Sequence, residues 1–211
     1  MLKWFRRQGE EIAYAREERR LRAVGLARSR GEREYPKQLG SLEGIARDHT
    51  QRYEWALPYC RDRKVLDYGC GVGYGGFMLS EVASEVVGFD ISKEALDWAR
   101  YYAENRANLV YTNRAPDEVF DCITCFECIE HVPNPDQVLE WLAEHAREYV
   151  FISSPDAATS RGNNPHHVRE FTVEEFENML SSRFTIEERT VQQLPHSEVM
   201  LCRCRVAGSR G

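Results

Sequence analysis

Two hydrophobic rhythms alternate along this chain. Short apolar runs at 65–66, 86–90, 109–112, 120–126 and 149–153 are rich in β-branched and aromatic residues, as strands buried on both faces are. Between them, 42–57, 93–105, 135–146 and 172–181 space their apolar residues three and four apart, as helices with one buried side do. Strand and helix in turn predict a parallel sheet covered on both faces. The rhythm then changes. FTIEERTVQ and EVMLCRCRV are strand-like runs joined by the short LPHS, which predicts a C-terminal antiparallel hairpin. The expected fold class is α/β, a doubly wound sheet, mostly parallel and ended by that hairpin.

With 211 residues, 42% of them hydrophobic, the chain can bury one core and is too short for two ordinary domains. The opening MLKWFRRQGEE lacks an apolar signal region, and no apolar run is long enough to span a membrane, which predicts a cytoplasmic protein. Seven cysteines, an odd number, predict reduced thiols there. The net charge of −6 is unevenly spread, since residues 1–34 hold ten Lys or Arg against six Asp or Glu. That basic front is either a solvated helix or a grip on a polyanion. Glu10, Glu11, Glu17 and Glu18 interrupt it and favour the solvated helix.

The segment VLDYGCGVGYGG, residues 65–76, concentrates the chemistry. Asp67 stands where the first strand ends, and Gly69, Gly71 and Gly73 permit a tight turn against a ligand before a helix opens at Tyr74. A dinucleotide fingerprint wants a further glycine where Tyr74 stands. The order D-x-G-x-G-x-G instead sets a carboxylate beside the turn, which suits a cationic amino-acid group. This segment resembles the first motif of the class I S-adenosylmethionine-dependent methyltransferases. The resemblance implies a seven-stranded Rossmann-like sheet, and implies that Asp67, Gly69, Cys70, Gly71 and Gly73 hold the methionine part of S-adenosylmethionine. Asp90, 23 positions after Asp67, matches the acid that takes the ribose hydroxyls; its other reading, a helix cap, is already met by Ser92. Ile91, Asn113 and Phe126 complete the implied cofactor set, Asn113 standing where the family often has an acid at the adenine. In IARDHTQRYEWAL, Arg52 either neutralises the methionine carboxylate or packs as an ordinary helix residue.

A second constellation joins FECIEHVPNPDQVL to PHHVREFT. Glu127, Glu130 and His131 are spaced i, i+3 and i+4, and would project from one side of a single helical turn. Pro133 keeps that turn short, and Asn134 with Pro135 starts the next helix. Ligands of doubly wound sheets gather outside the carboxyl ends of the strands, so His166 and His167, beyond the polar loop 154–165, could return to face that turn. The two segments resemble those of the small-RNA 2′-O-methyltransferases, where such residues bind a divalent ion. Ubiquinone-pathway O-methyltransferases offer a similar E-x-x-E-H. The resemblance implies Glu127, Glu130, His131 and His167 as metal ligands, with Mg²⁺ or Mn²⁺ suiting the mixed set and Zn²⁺ compatible with it. The structural alternative is that Glu130 and His131 cap local backbone while His167 packs at the following helix. His166 and His131 are the candidate catalytic residues. Cys122, Cys125 and Cys128 imitate overlapping C-x-x-C pairs, but Cys122 and Cys125 lie in a strand whose alternate residues face opposite ways, so they do not share an ion.

The expected activity is metal-assisted, S-adenosylmethionine-dependent O-methylation of a small-molecule hydroxyl, on a sugar or a quinone-like phenol, by a monomer or homodimer. A helical extension over 1–58 would cover the cofactor of a catalytic domain over 59–211. An RNA 2′-O-methyltransferase is the alternative, favoured by the metal constellation and the basic front and disfavoured by the net charge of −6. A non-catalytic cofactor-binding scaffold is the third reading, and the intact Asp67, Asp90 and glycines weigh against it.

Overall fold

Each apolar run becomes a strand. The computed structural model describes residues 19, 26, 33–37, 40–103, 105–160, 162 and 164–206. Within them, β1 (Lys64–Tyr68), β2 (Glu85–Phe89), β3 (Leu109–Thr112), β4 (Phe120–Cys125), β5 (Ala146–Pro155), β6 (Phe184–Gln193) and β7 (Glu198–Val206) form one sheet in the order β3-β2-β1-β4-β5-β7-β6. The first five strands are parallel. The hairpin folds back so that β7 pairs antiparallel with both β5 and β6, leaving β6 as the outer strand. The basic segment read as a helix or polyanion grip lies almost wholly outside the described residues. Among the described residues, no helix is long and apolar enough to cross a membrane.

Over the described residues from 47 onward the helices are α1 (Arg47–Cys60), α2 (Tyr74–Leu79), α3 (Lys93–Tyr102), α4 (Pro135–His145), α5 (Ala157–Ser160) and α6 (Val173–Ser181), with a 3₁₀ turn at Ile129–His131. Strand alternation divides the core between the two sheet faces. Val65 packs with Tyr53, Ala56 and Cys60 of α1 and Leu79 of α2, while Leu66 packs with Leu139 and Leu142 of α4 and Phe176 and Leu180 of α6. Both ends of α1 differ from the sequence pattern. Helix α1 starts at Arg47 rather than 42, because Gly44 has φ +97° and Ala46 is extended, and it then continues through Pro58 to Cys60. A domain boundary between 58 and 59 therefore falls inside a helix that is built into the core.

Candidate functional site

The chain order reverses between β1 and β4, and there the strand ends open a crevice. Asp67 lies beside it on β1, with Thr124 of β4 and Gly88 of β2 as its register neighbours. Its carboxylate is wholly buried. Tyr53 Oη and Thr124 Oγ1 both donate to Oδ1, at 3.0 and 2.9 Å. Oδ2 makes no hydrogen bond of ordinary geometry. Burial lifts the carboxyl from 3.8 to about 6, moderated by those hydroxyls and the nearby Gly76 N–H.

The glycine turn hangs from β2. Gly69 N and Cys70 N donate to Phe89 O at 2.8 and 2.9 Å. Gly71 N donates to Asp90 Oδ2 at 3.0 Å and Ser92 N to Asp90 Oδ1 at 2.8 Å. Each carboxylate oxygen has a second lone pair, so Asp90 keeps acceptor capacity after tying the turn to the start of α3. The helix cap itself is Ser92, whose Oγ accepts from Ala95 N at 3.2 Å. Gly69 has φ +77°, and a Cβ there would stand 2.6 Å from Cys128 Sγ, whereas a Cβ on Gly71 would meet nothing within 4 Å. The turn is thus closed against the protein at Gly69 and open at Gly71.

Other predicted cofactor residues divide. Ile91 is 83% exposed, and Asn113 is exposed beyond β3. Cys70 is buried, as is Phe126, edge-on to Tyr53 at 5.1 Å. Arg52 is only 2% exposed and committed to protein contacts: Nε donates to Gln192 Oε1 at 2.9 Å, and Nη2 lies 3.5 Å from Asp48 Oδ2 and 3.8 Å from Glu127 Oε2. It is the neighbouring Tyr53 that reaches Asp67.

After β4 the backbone turns abruptly. Glu127 takes φ +48°, uncommon for a residue with a Cβ. Its N–H donates to Ser153 Oγ at 3.0 Å, and that hydroxyl donates to Glu127 Oε1 at 2.8 Å. The helical turn spans only Ile129–His131, so the i, i+3, i+4 geometry expected from the spacing does not extend back to Glu127. Ligand atoms of Glu130, His131 and His167 do converge, all within 4.8 Å of one another. Glu127 stands outside that group, held by Ser153 and Arg52.

Glu130 is fully buried, and neither carboxylate oxygen has a hydrogen bond of ordinary geometry. Burial, reinforced by the charge of Glu127, drives its pKa well above the usual carboxylate range. An ionised carboxylate left unpaired in such a place costs several kcal/mol, so Glu130 is either protonated or matched by a cation. Its backbone carbonyl anchors the returning loop, accepting from Val168 N at 2.9 Å and Arg169 N at 3.1 Å. His131 Nδ1 donates to His166 O at 3.1 Å, and the His131 and His167 rings lie edge to face at 4.9 Å. His166 is exposed and offers its carbonyl to the cluster.

A family model described as a methyltransferase domain matches residues 13–190. The chain belongs to the class I S-adenosylmethionine-dependent methyltransferases. Curated proteins similar to it include the ubiquinone biosynthesis O-methyltransferase of Photobacterium profundum, 36% identical over 102 residues that make up 44% of this chain and 43% of that one. That of Glaesserella parasuis serovar 5 is 37% identical over 106 residues, 44% and 45% of the two chains. This methyltransferase chain therefore spans less than half the length of these curated relatives. Among solved structures, N-methyltransferase NodS of Bradyrhizobium japonicum WM9, in complex with S-adenosyl-L-homocysteine, superposes with a TM-score of 0.65 at 19% identity, covering 75% of this chain and 85% of its own. Magnesium protoporphyrin IX methyltransferase of Synechocystis PCC 6803, with bound S-adenosylmethionine, gives 0.64 at 17% identity, covering 76% and 80%. These likenesses establish the shared fold.

The residues of this methyltransferase fit the methyl donor of its family. The orphaned Oδ2 of Asp67 suits a cationic amino group, the open side of the turn at Gly71 admits close approach, and Asp90 retains acceptors for hydroxyls. The donor set of Glu130, His131 and His167 likewise fits a divalent cation. Tyr53, Thr124 and Ser153 went unassigned in the sequence. Tyr53 directly follows Arg52 in the sequence, but nothing local marks Ser153, whose partner is 26 residues away.

Proposed function

We propose that this methyltransferase transfers a methyl group to a hydroxyl oxygen of a small molecule, a phenol of the quinone-precursor type, beside a divalent cation held by Glu130, His131 and His167. The observation that carries the reading is Glu130, a buried carboxylate with two unpartnered oxygens facing two imidazoles. The activity for which the curated relatives are named, O-methylation in ubiquinone biosynthesis, supports the choice of a phenolic acceptor.

In this reading Asp67 and the glycine turn hold the methionine end of S-adenosylmethionine, and Asp90 holds its ribose. The bound donor supplies an electrophilic methyl group, and a Mg²⁺ or Mn²⁺ ion supplies a positive charge that lowers the pKa of a nearby hydroxyl. The protein's own part is to orient and to exclude water. Arg52 and Ser153 fix the Glu127 carboxylate at the crevice, and His166 O fixes the ring of His131. Should methyl transfer survive without a cation, His131 or His166 would be the base that takes the hydroxyl proton.

Calorimetric titration with S-adenosylhomocysteine is expected to give one site, weakened about 10–100-fold in Asp90→Ala, since hydrogen bonds to a charged acceptor contribute ~1.5–3 kcal/mol. A wild type that does not bind overturns the donor assignment. Methyl transfer to a catechol is expected to fall at least about 100-fold with a chelator present, and likewise in Glu130→Gln. Full rates in both would remove the cation from the reading. An RNA 2′-hydroxyl is the second reading, favoured by the same convergence of Glu130, His131 and His167. It requires binding to short RNA that weakens steeply with added salt.

A further inference from the structure

Two side chains grip the imidazole of His167 from opposite edges. On one edge, His167 Nδ1 lies 2.8 Å from Glu170 Oε1. Glu170 also accepts from Ser160 Oγ and from Gly162 N at 3.0 Å, so it acts as an acceptor throughout and Nδ1 carries the proton. On the other edge, Asn164 Nδ2 lies 2.9 Å from His167 Nε2. The orientation of that amide follows from its other end, because Asn164 Oδ1 accepts from His166 N at 3.0 Å. Its NH₂ must therefore face the ring, and Nε2 receives that hydrogen bond on its lone pair.

We propose that Glu170 and Asn164 are positioning residues with opposed effects on cation uptake: Glu170 aims the Nε2 lone pair of His167, and Asn164 occupies it until an ion displaces the amide. The inference rests on the cation reading of Glu130, His131 and His167. Its chemistry is an exchange at one atom. A ligating histidine whose other nitrogen donates to a carboxylate is held in the correct tautomer and made more basic, so the Glu170 contact strengthens cation binding. The amide of Asn164 competes for the same lone pair, and its hydrogen bond must break before Nε2 can coordinate. Loading is then coupled to the loop between α5 and His166, because Asn164 O also accepts from His167 N at 3.3 Å and Glu170 ties Ser160 and Gly162 to the same imidazole.

The opposed signs make the test. Mn²⁺ titration of the purified protein should give one site, weakened about 10–100-fold in Glu170→Gln and tightened about fivefold in Asn164→Ala. Asn164→Ser, which can still accept from His166 N but is too short to reach Nε2, should tighten uptake as well, and guards against misfolding of the alanine variant. A second measurement needs no metal. The ¹⁵N shifts of His167 should report the Nδ1–H tautomer in the wild type and lose that bias in Glu170→Gln. If the wild type binds Mn²⁺ but the Asn164 variants bind equally or more weakly, or Glu170→Gln leaves both affinity and tautomer unchanged, the inference falls and the cation reading stands. If neither the wild type nor the Asn164 variants take up Mn²⁺, the two fall together.

Discussion

At Asp67, burial and hydrogen bonding oppose each other, and burial wins: the carboxyl sits at about 6 instead of 3.8. The folded protein thus holds this proton more tightly than the unfolded chain. Folding takes it up between about pH 4 and 6, so the associated stability is present in full below that window and is lost as pH rises through it. The difference between 3.8 and about 6 corresponds to about 3 kcal/mol. Asp67→Asn keeps an oxygen for Tyr53 and Thr124 and removes the titration. Urea unfolding at several pH values is expected to show the variant losing less stability than the wild type between about pH 4 and 6, and parallel curves would contradict the assignment. Glu130 shifts in the same direction, so the difference between the two proteins, rather than the wild-type slope, isolates Asp67. The glycine turn offers a second residue-level contrast. Gly71→Ala meets nothing within 4 Å and carries only the left-handed φ penalty of ~1–2 kcal/mol, whereas Gly69→Ala also drives a Cβ to 2.6 Å from Cys128 Sγ. Thermal melts should rank Gly69→Ala well below Gly71→Ala, and equal melting points would refute the packing argument.

Among the elements, α6 has the most explicit start signal. Thr172 Oγ1 accepts from Glu175 N at 3.2 Å and Glu175 Oε2 accepts from Thr172 N at 3.0 Å, a reciprocal capping box. Thr172→Ala should cost ~1 kcal/mol and lower Tm by about 2–4 °C, measurable by calorimetry; an unchanged Tm would mean that packing of Phe176 and Leu180 sets this helix by itself. Local signals of this kind explain why the strands, α3, α4 and α6 were legible in the sequence. Their caps and apolar periods lie within a few residues of each boundary. What could not be read was fixed at a distance. The left-handed turn at Glu127 is held by Ser153 on another strand, and it shortens the expected helical turn to Ile129–His131, which separates Glu127 from Glu130 and His131. The charge of Arg52 is likewise plain in the sequence, but Gln192, 140 residues later, is what fixes its Nε. The hairpin was readable as two antiparallel strands, while the insertion of β7 against β5 depends on which sheet edge still needed a partner.

For the molecule as a whole, the question is whether residues 1–58 form a lid over a finished domain or part of the domain itself. Helix α1 answers through three layers of contact. Tyr53, Ala56 and Cys60 are buried against Val65, Leu79 and Phe151. Trp55 Nε1 donates to Glu188 Oε1 on β6 at 3.1 Å, and Gln192 on the same strand accepts from Arg52. Tyr53 supplies one of the two hydroxyls that Asp67 accepts. Removing α1 would uncover apolar side chains of the cluster it shares with Val65, Cys122 and Phe151, and each large side chain uncovered costs ~1.5–3 kcal/mol against a total stability of about 5–15 kcal/mol. A chain beginning at residue 59 is therefore expected to show no cooperative thermal transition and to bind a hydrophobic dye, whereas one beginning at residue 33 should melt cooperatively. A sharp transition and S-adenosylhomocysteine binding in the shorter chain would restore the lid. Failure of the shorter chain would instead make α1 part of the domain itself, in keeping with its consecutive residues Arg52 and Tyr53, which reach Glu127 and Asp67 on either side of the crevice.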